Sequence, residues 1–337
     1  MPTEFDDARL RALIARFAGQ RVLVIGDLML DEFIWGKVSR ISPEAPVPVV
    51  SVTGESYYPG GAANVARNVR EFTRAATVMG IAGEDAAGSR LLELLGACEI
   101  DTAGVLRDAG YSTTVKTRII ARHQQVVRVD RERKAPLTGE QAGRAAEYLE
   151  RVIGAIDAIV VADYGKGFLT QSLADHICRT ARAHGKILTV DPHPHTAISW
   201  QGATAIKPNR AEAFAAAGLP ASDPVLPVLA DAPLLEAARR LAARWNSENL
   251  LITLGEHGML LLANDAAPLH IPTRVKDVFD VSGAGDTAIA VLTLALAAGA
   301  APGEAAELAN RAGGIVVGKL GTATVTAAEL EASLAWP

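Results

Sequence analysis

A carboxylate follows a glycine-rich turn in the stretch DVSGAGDTAI, residues 280–289. Gly283, Ala284 and Gly285 lead into Asp286, and a long apolar run comes next. Backbone N–H groups at the start of a helix are unpaired, and small residues let an anion approach them closely. Asp286 therefore has two interpretations. It caps a helix, as Asp often does near helix starts, or it is a base beside an anion-binding turn.

A second candidate site lies in AIKPNRAE, residues 205–212, where a short apolar run ends. Asn209 and Glu212 are three residues apart, so both side chains face the same way on the first turn of a helix. An amide and a carboxylate placed like this can hold Mg2+ through water beside a phosphate chain. The pair also fits a capping box, with Asn209 as the cap and Glu212 reaching back. The sequence leaves both interpretations open.

Two further stretches carry polar or glycine residues next to apolar runs. In LLITLGEHGMLLL, residues 250–262, Thr253 and Gly255 lie in a turn that either admits a nucleotide or closes a simple β-hairpin. Near the N-terminus, VIGDLMLDEF and YYPGGAANV supply carboxylates, an amide and a glycine pair. Carboxylates and amides suit sugar hydroxyls, which both donate and accept hydrogen bonds. The sugar-binding candidates are Asp27, Asp31, Gly60, Gly61 and Asn64. Asp31 equally fits a helix cap, and Gly60 and Gly61 are expected to open a helix.

These residues must be positioned by alternating strands and helices. Short Val- and Ile-rich runs such as RVLVIGD, DAIVVADYG and KILTVDPH alternate with helical stretches such as EQAGRAAEYLERVIGAI and LEAARRLAARW. This order is typical of parallel βαβ units, so the fold class is α/β. The apolar strands end in Gly, Asp or Asn, which places the polar groups at the carboxyl edge of the sheet, where ligands bind. Asp191, which ends one such strand, is expected to line the cleft near the phosphates or Mg2+.

Two stretches, at about residues 33–61 and 112–132, alternate polar with β-branched residues and have no helical period. They predict a small second sheet inserted into one domain that spans residues 1–337. Such a sheet covers an active site as a lid or pairs with another subunit, because an isolated small sheet exposes an apolar face. The alternative is a pair of edge hairpins.

Composition excludes several classes of protein. The chain has 337 residues, 49% of them hydrophobic, and a formal net charge of -5 without a long block of either sign, which argues against general nucleic-acid binding. Cys98 and Cys178 have no metal-ligand spacing, and the N-terminus has no signal-peptide pattern. The longest apolar stretch, Ala288 to Ala301, is short for a membrane span. We therefore expect a cytoplasmic protein with no membrane partner. The chain has no Walker A loop and no strand-linked GxGxxG.

Taken in order, GD…LD, PGGAANVARN, KPN-x-x-E, TLGEHG and D-x-x-GAGD resemble the ribokinase-like (PfkB) family of carbohydrate kinases, over about Val22 to Val325. The resemblance implies a Rossmann-like, mostly parallel sheet flanked by helices, with a β-sheet lid that often forms a homodimer contact. It also implies phosphorylation of a sugar hydroxyl that depends on ATP and Mg2+. A non-catalytic nucleotide-binding protein on the same fold is an alternative from another class.

The resemblance assigns roles to individual residues. It implies that Asp286 accepts the proton of the sugar hydroxyl and that the backbone of Gly283, Ala284 and Gly285 is the anion hole. It implies that Asn209 and Glu212 act on Mg2+ and phosphate. The nucleotide-binding residues that it implies are Thr253, Gly255 and Asn310. Asp280 and Ser282 take the positions beside a monovalent cation such as K+, although Val281 and Ser282 replace the family's commoner Thr-Thr or Thr-Val.

Three stretches resemble one branch of that family, namely SRISPEAPVPVV, ADYGKG and LANRAGGIVVGKLGTATV. The branch phosphorylates O1 of D-glycero-β-D-manno-heptose 7-phosphate, giving the 1,7-bisphosphate for lipopolysaccharide core synthesis. In many bacteria this kinase is fused to a nucleotidyltransferase, and here we expect only the kinase step. A sugar kinase of the ribose or fructose type is the alternative within the family.

A substrate that already carries a phosphate needs a cationic pocket. The second lid stretch offers Lys116, Arg118 and Arg122, which fall on one face if the strand is extended throughout. Lys166, in the turn YGKG, is the expected further contact at the carboxyl edge of the sheet. Arg is shaped for bidentate contact with phosphate. The alternative is that these charges are only solvated surface.

Overall fold

The structure is a computed structural model that describes residues 5–122, 124–264, 266–274, 278–319 and 321–336. Residue 123, which belongs to the second predicted lid stretch, lies outside the described residues. The helices are α1 (Asp7–Arg16), α2 (Ala62–Arg70), α3 (Ala86–Ala97), α4 (Gly139–Val152), α5 (Gln171–Ala183), α6 (Arg210–Ala217), α7 (Ala232–Trp245), α8 (Ala284–Ala297), α9 (Pro302–Val317) and α10 (Ala327–Ser333). The strands are β1 (Arg21–Gly26), β2 (Leu28–Ile41), β3 (Pro48–Gly61), β4 (Ala75–Gly83), β5 (Asp101–Asp108), β6 (Thr114–Ala121), β7 (Gln124–Arg131), β8 (Ala158–Ala162), β9 (Ile187–Asp191), β10 (Ala205–Ile206), β11 (Asn249–Thr253), β12 (Met259–Ala263) and β13 (Leu269–Ile271).

Within the described residues, the main sheet has nine strands in the order β13-β12-β11-β10-β9-β8-β1-β4-β5. The strands from β11 to β5 pair in parallel, while β12 runs antiparallel to both of its neighbours. This confirms the predicted α/β class with a mostly parallel sheet. Parallel strands of this kind are buried on both faces, and every residue of β8 is buried accordingly.

Alternation along each strand divides the core into two layers. Val22 and Val24 of β1 pack into the layer that contains α8 and α9. Leu23 and Ile25 of the same strand pack into the layer that contains α4 and α5. The period of two residues follows from strand geometry. α8 is apolar along most of its length and is buried between its neighbours, as expected for a helix with hydrophobic residues on every side.

The small second sheet is confirmed, with the order β3-β2-β6-β7. β2 and β6 run parallel, and the other two pairs are antiparallel. One boundary differs from the prediction, because β2 begins at Leu28, almost directly after β1. Asp31 therefore lies inside this sheet, paired in register with Tyr58 of β3, and is not a helix cap.

The two sheets and two helix ends meet where the functional candidates lie. The carboxyl ends of β8, β9, β10 and β11 open toward the N-terminus of α8, and α8 packs against α2, β8 and β9. This is the edge at which open α/β sheets bind ligands. Among the described residues, none of the helices is both long and apolar enough to cross a membrane.

Candidate active site

The N-terminus of α8 is open to an anion. Gly283 is the residue before the helix, in the left-handed conformation with φ 81°, and no side chain of the described residues caps this end. Ser282, the residue before this glycine, does not cap the helix either. The Ala284 N–H donates to the Val281 carbonyl at 3.3 Å, and the N–H groups that follow it in the first turn are available to a negative group, which the helix dipole also favours.

Asp286 lies on the first turn of α8, and both of its carboxylate oxygens accept hydrogen bonds. Asn64 Nδ2 of α2 donates to Oδ2 at 2.6 Å, and the Tyr164 hydroxyl, just beyond β8, donates to Oδ1 at 2.5 Å. Burial raises the pKa of Asp286 to about 6, and the two donors oppose that shift. A carboxylate with such a pKa is ionised at neutral pH and is still basic enough to take a proton.

The helix α2 is itself fixed against α8. Asn68 Nδ2 donates to the Asn64 carbonyl at 2.9 Å, and the Thr287 hydroxyl donates to Asn68 Oδ1 at 2.7 Å. Asn64, Asn68 and Thr287 are all buried. Consecutive polar contacts between the two helices therefore set the distance between Asn64 and Asp286.

A buried lysine lies beside the same turn. Lys207, which directly follows β10, has a side chain that is 3% exposed, and its Nζ lies 3.0 Å from Asp191 Oδ2 at the end of β9. A Cβ placed on Gly285 would lie 3.6 Å from this Nζ, so the ammonium group faces the glycine turn. Burial raises the pKa of Asp191 to about 6, and the charge of Lys207 opposes the shift. Asp191 lines the cleft, where it was expected.

Two cavities adjoin at this edge of the sheet. One, of about 510 Å³, is lined by Asp191, Lys207, Asn209, Glu212, Gly285 and Asp286 among others. The other, of about 730 Å³, is lined by Thr253, Gly255, Asn310, Gly313 and Gly314 among others, and it shares Gly285 with the first. Asn310 Nδ2 donates to the Pro272 carbonyl at 2.7 Å. The structure thus brings together the residues predicted at the base, at the metal and at the nucleotide.

Asn209 and Glu212 form a capping box at the start of α6. The Asn209 side chain accepts from the Glu212 N–H at 2.9 Å, and Glu212 Oε2 accepts from the Asn209 N–H at 2.7 Å. Capping is therefore one role of this pair. Both residues also line the 510 Å³ cavity. Thr253 and Gly255 lie in the turn of a β-hairpin, because β11 and β12 pair in antiparallel. The same turn borders both cavities, as a turn that admits a nucleotide would.

The glycine pair before α2 allows close packing around Asp31. A Cβ on Gly60 would lie 2.4 Å from Asp31 Oδ2, and Gly61, which precedes α2, has φ 58°. Gly60 and Gly61 end β3, and the helix begins one residue later, at Ala62. Asp31 Oδ1 accepts a hydrogen bond from Arg118 Nη1 in a salt bridge. A predicted sugar contact and a predicted phosphate contact are therefore paired with each other.

Asp27 has a different environment from the one expected. Its buried carboxylate accepts from the backbone N–H groups of Tyr164 at 2.9 Å, Lys166 at 3.1 Å and Phe168 at 3.1 Å. Burial raises the pKa of Asp27, and these three donors oppose the shift. Asp27 therefore anchors the segment 163–168. Its contact with sugar hydroxyls stays a prediction.

The residues expected to form a cationic pocket lie in different environments. Lys166 is buried, and its Nζ lies 2.5 Å from Glu132 Oε2. Burial, together with the nearby charge of Lys166, lowers the pKa of Lys116. Arg122 corrects the one-face prediction, because it follows the end of β6 in a turn, with φ 59°, and is exposed. The strand also changes register between Ile119 and Ile120.

Asp280 joins the loop before α8 to the loop after α9. Its Oδ1 accepts from the Ser282 N–H at 2.9 Å, and its Oδ2 accepts from the Gly321 N–H at 3.2 Å. The carboxylate thus fixes the approach to the glycine turn.

Tyr164 and Lys207 are two residues of the site for which the sequence predicts no role. Lys207 opens the KPN motif, and Tyr164 lies in ADYGKG. Both follow strands of the main sheet, and that position was the available signal. The contact of Tyr164 with Asp286 and that of Lys207 with Asp191 depend on how distant parts of the chain fold together.

Residues 20–328 match the pfkB family of carbohydrate kinases, and the chain belongs to that family. It is therefore a sugar kinase that uses ATP, with a divalent metal as kinases of this family do.

The particular proteins that it resembles include the bifunctional protein HldE of Desulfatibacillum aliphaticivorans, which is 44% identical over 95% of this chain and 64% of the relative. The bifunctional protein HldE of Caulobacter vibrioides is 46% identical over 97% of this chain and 66% of the relative. The chain thus spans about two thirds of the length of these relatives.

Solved structures of the same fold include Arabidopsis thaliana ribokinase complexed with ribose and ATP. Its TM-score is 0.71 at 16% identity, over 94% of this chain and 99% of that one. Escherichia coli phosphofructokinase-2 in complex with potassium has a TM-score of 0.74 at 19% identity, over 94% of this chain and 98% of that one. At these identities the likeness establishes the ribokinase-like fold.

Proposed function

We propose that this kinase phosphorylates the anomeric O1 hydroxyl of D-glycero-β-D-manno-heptose 7-phosphate, with ATP and Mg2+, to give the 1,7-bisphosphate. The observation that carries the proposal is the position of Asp286, an ionisable carboxylate directly beside an uncapped helix N-terminus and facing a cleft that contains Lys207. The identity to HldE proteins over most of the chain supports the choice of sugar.

Asp286 is the proposed base. The acceptor hydroxyl donates a hydrogen bond to a free lone pair of the carboxylate and attacks the terminal phosphorus of ATP. The bond between that phosphorus and the bridging oxygen breaks, ADP leaves, and Asp286 takes the hydroxyl proton. Phosphoryl transfer needs mainly positioning and neutralisation of charge on the equatorial oxygens. The backbone of Gly283, Ala284 and Gly285 at the start of the helix and the ammonium group of Lys207 are proposed to neutralise that charge.

The donor groups at the cleft fit ATP and Mg2+. Asp191 and Glu212 supply carboxylate oxygens, which Mg2+ prefers, and each retains lone pairs beyond its contact to Lys207 or to the Asn209 N–H. The two residues would hold the metal largely through water, and the metal would offset the charge of the phosphates. The 730 Å³ cavity between the β11–β12 hairpin and α9 has the size and the apolar walls of a nucleotide-base site.

The small sheet, α2 and the segment after β8 supply the proposed sugar and phosphate contacts. Asp31 and Asn64 are assigned to sugar hydroxyls. Asn64 Oδ1 is buried and has no hydrogen-bond partner among the described residues, so a substrate hydroxyl that donates to it would satisfy this atom. Lys116, Lys166 and Arg118 are assigned to the 7-phosphate. These three cations outnumber the two carboxylates paired with them, Glu132 and Asp31, before a phosphate binds.

Two parts of the proposal concern assembly and a monovalent cation. The small sheet is proposed as a lid and as the contact of a homodimer, because it exposes Trp35, Val127 and Val129.

Asp280 and Ser282 are proposed to support K+ beside the anion-binding turn. Replacing K+ by a large organic cation should lower turnover, and unchanged turnover would refute that part.

The experiment that tests the choice of substrate is an ADP-release assay across a panel of sugars and sugar phosphates, with Asp286→Asn as the control. The proposal predicts the highest kcat/KM with heptose 7-phosphate. Efficient turnover of ribose or fructose without turnover of heptose 7-phosphate would assign the chain to another sugar kinase of the family.

A further inference from the structure

The Tyr164 hydroxyl contacts the proposed base and has no part in the binding of ATP or the sugar as proposed above. It donates to Asp286 Oδ1 at 2.5 Å. Burial, followed by the charge of Asp286, raises the pKa of Tyr164 well above its usual value of 10. The phenol therefore stays protonated wherever the enzyme works and acts only as a donor, so the substrate proton goes to the carboxylate.

The hydrogen-bonding capacity of Asp286 leaves room for a substrate as well as for Tyr164. An ionised carboxylate offers about four lone-pair sites on its two oxygens. Tyr164 occupies one on Oδ1, and Asn64 occupies one on Oδ2. One site on each oxygen remains for the acceptor hydroxyl. Two donors from different elements, one on each oxygen, fix the plane of the carboxylate as well as its distance from them.

The main chain that carries Tyr164 is itself held in place. Asp27 Oδ2 accepts from the N–H of Tyr164 at 2.9 Å and from that of Lys166 at 3.1 Å. Gly165 and Gly167 adopt φ values of 65° and 108°, which other residues rarely adopt. The conformation of this turn therefore depends on its glycines and on the buried Asp27 carboxylate. The turn fixes the backbone of Tyr164, from which the ring extends.

We propose that Tyr164 is a positioning residue for the kinase reaction, whose hydroxyl orients the Asp286 carboxylate toward the acceptor hydroxyl. This inference rests on the proposed function, because it requires Asp286 to be the base. Tyr164 does not touch the transferred group in this assignment. It acts on the rate by keeping the carboxylate in its productive direction.

Other charged groups surround Tyr164 and Asp286, and a substitution of Tyr164 leaves them unchanged. Asp191 raises the pKa of Asp286, and Lys207 lowers it. Asp191 and Asp31 face Tyr164 as further carboxylates. Removing only the phenol oxygen leaves all of these in place, so the difference between variant and wild type reports on the hydroxyl.

The test compares Tyr164→Phe with the wild type and with Tyr148→Phe. Tyr148 lies on α4, in the layer opposite α8, and is also buried, so it is a matched control. For Tyr164→Phe we expect kcat to fall about tenfold while the KM for ATP is unchanged, since a hydrogen bond to a charged group is lost. We also expect the acid limb of the kcat/KM profile to move up by about one pH unit, because a donor to the charged form is removed. Thermal stability should stay near that of the wild type.

An unchanged kcat with an unchanged acid limb in Tyr164→Phe would overturn the inference. An equal loss in Tyr148→Phe would also overturn it, because the effect would then not belong to the contact with Asp286. Asp286→Asn separates the two proposals. If that variant is inactive while Tyr164→Phe behaves as the wild type, only the role of Tyr164 fails. If Asp286→Asn turns over normally, the proposed function fails first.

Discussion

Asn64 Nδ2 lies 2.6 Å from Asp286 Oδ2, and this hydrogen bond joins the helix that follows the small sheet to the helix that carries the proposed base. The two residues are 222 positions apart in the chain. The contact therefore links the proposed sugar-binding side of the cleft to the proposed phosphate-binding side. A sugar hydroxyl bound by Asn64 Oδ1 would lie close to Asp286, which places recognition and proton transfer next to each other.

The pH dependence of the reaction follows from Asp286. Its pKa is raised to about 6, and only the ionised form accepts a proton. The base is therefore active above that pH, and kcat/KM should fall as the pH decreases through about 6. A kcat/KM profile measured with the free enzyme over the acid range checks this. A profile that stays level down to about pH 4, the usual range of an unperturbed carboxyl, would contradict the raised pKa.

Glu212 allows the metal role to be separated from the capping role. In Glu212→Gln the side chain still completes the capping box, because Gln also reaches back to the cap N–H, but the negative charge is gone. We expect the Mg2+ concentration for half-maximal activity to rise about tenfold at unchanged thermal stability. Titration of activity with Mg2+ measures this. The metal assignment fails if the Mg2+ dependence of the variant matches that of the wild type.

Lys166 should govern binding of the sugar phosphate and not that of ATP. Lys166→Ala removes a buried cation from the proposed 7-phosphate site, and we expect the KM for the sugar phosphate to rise about tenfold or more. The KM for ATP should stay constant. Steady-state kinetics with each substrate varied in turn makes the measurement, with Lys186→Ala near the start of β9 as the control. Equal changes in both KM values would refute the pocket.

The exposed face of the small sheet should control assembly. Val127 and Val129 of β7 are 44% and 47% exposed, and a double substitution to Glu places charges on that face. We expect the wild type to be a dimer by light scattering and this variant to be a monomer. Val225→Glu is a matched control, since Val225 is 46% exposed in the loop between α6 and α7. A monomeric wild type, or dissociation by the control alone, would refute the lid contact.

Most of the fold was predictable because its patterns are local. Buried parallel strands such as β8 consist of an unbroken apolar run, and the strands of the small sheet alternate instead. The start of β2 was placed too late because Leu28 to Leu30 continue the apolar character of β1 almost without a break. The alternation of polar residues becomes visible only further along that strand.

The candidate site was predictable where a short motif carries the chemistry, as in GAGD and N-x-x-E. It was not predictable where partners come from distant backbone. The donors to Asp27 are main-chain N–H groups of the segment after β8, and such groups have no sequence signature. The Tyr164 contact with Asp286 arises in the same way, since it requires β8 and α8 to meet. Arg122 left the expected face because the chain turns directly after Ala121.

The measurement that tests the central proposal most directly is the rate at which Asp286→Asn forms heptose 1,7-bisphosphate from heptose 7-phosphate and ATP, followed by phosphorus NMR. The Asn side chain has nearly the same shape and cannot take the proton. The proposal predicts rapid formation of the 1,7-bisphosphate by the wild type and a kcat lower by about 10² to 10⁴ in the variant. A variant that forms the bisphosphate at nearly the wild-type rate would contradict the assignment of Asp286 as the base.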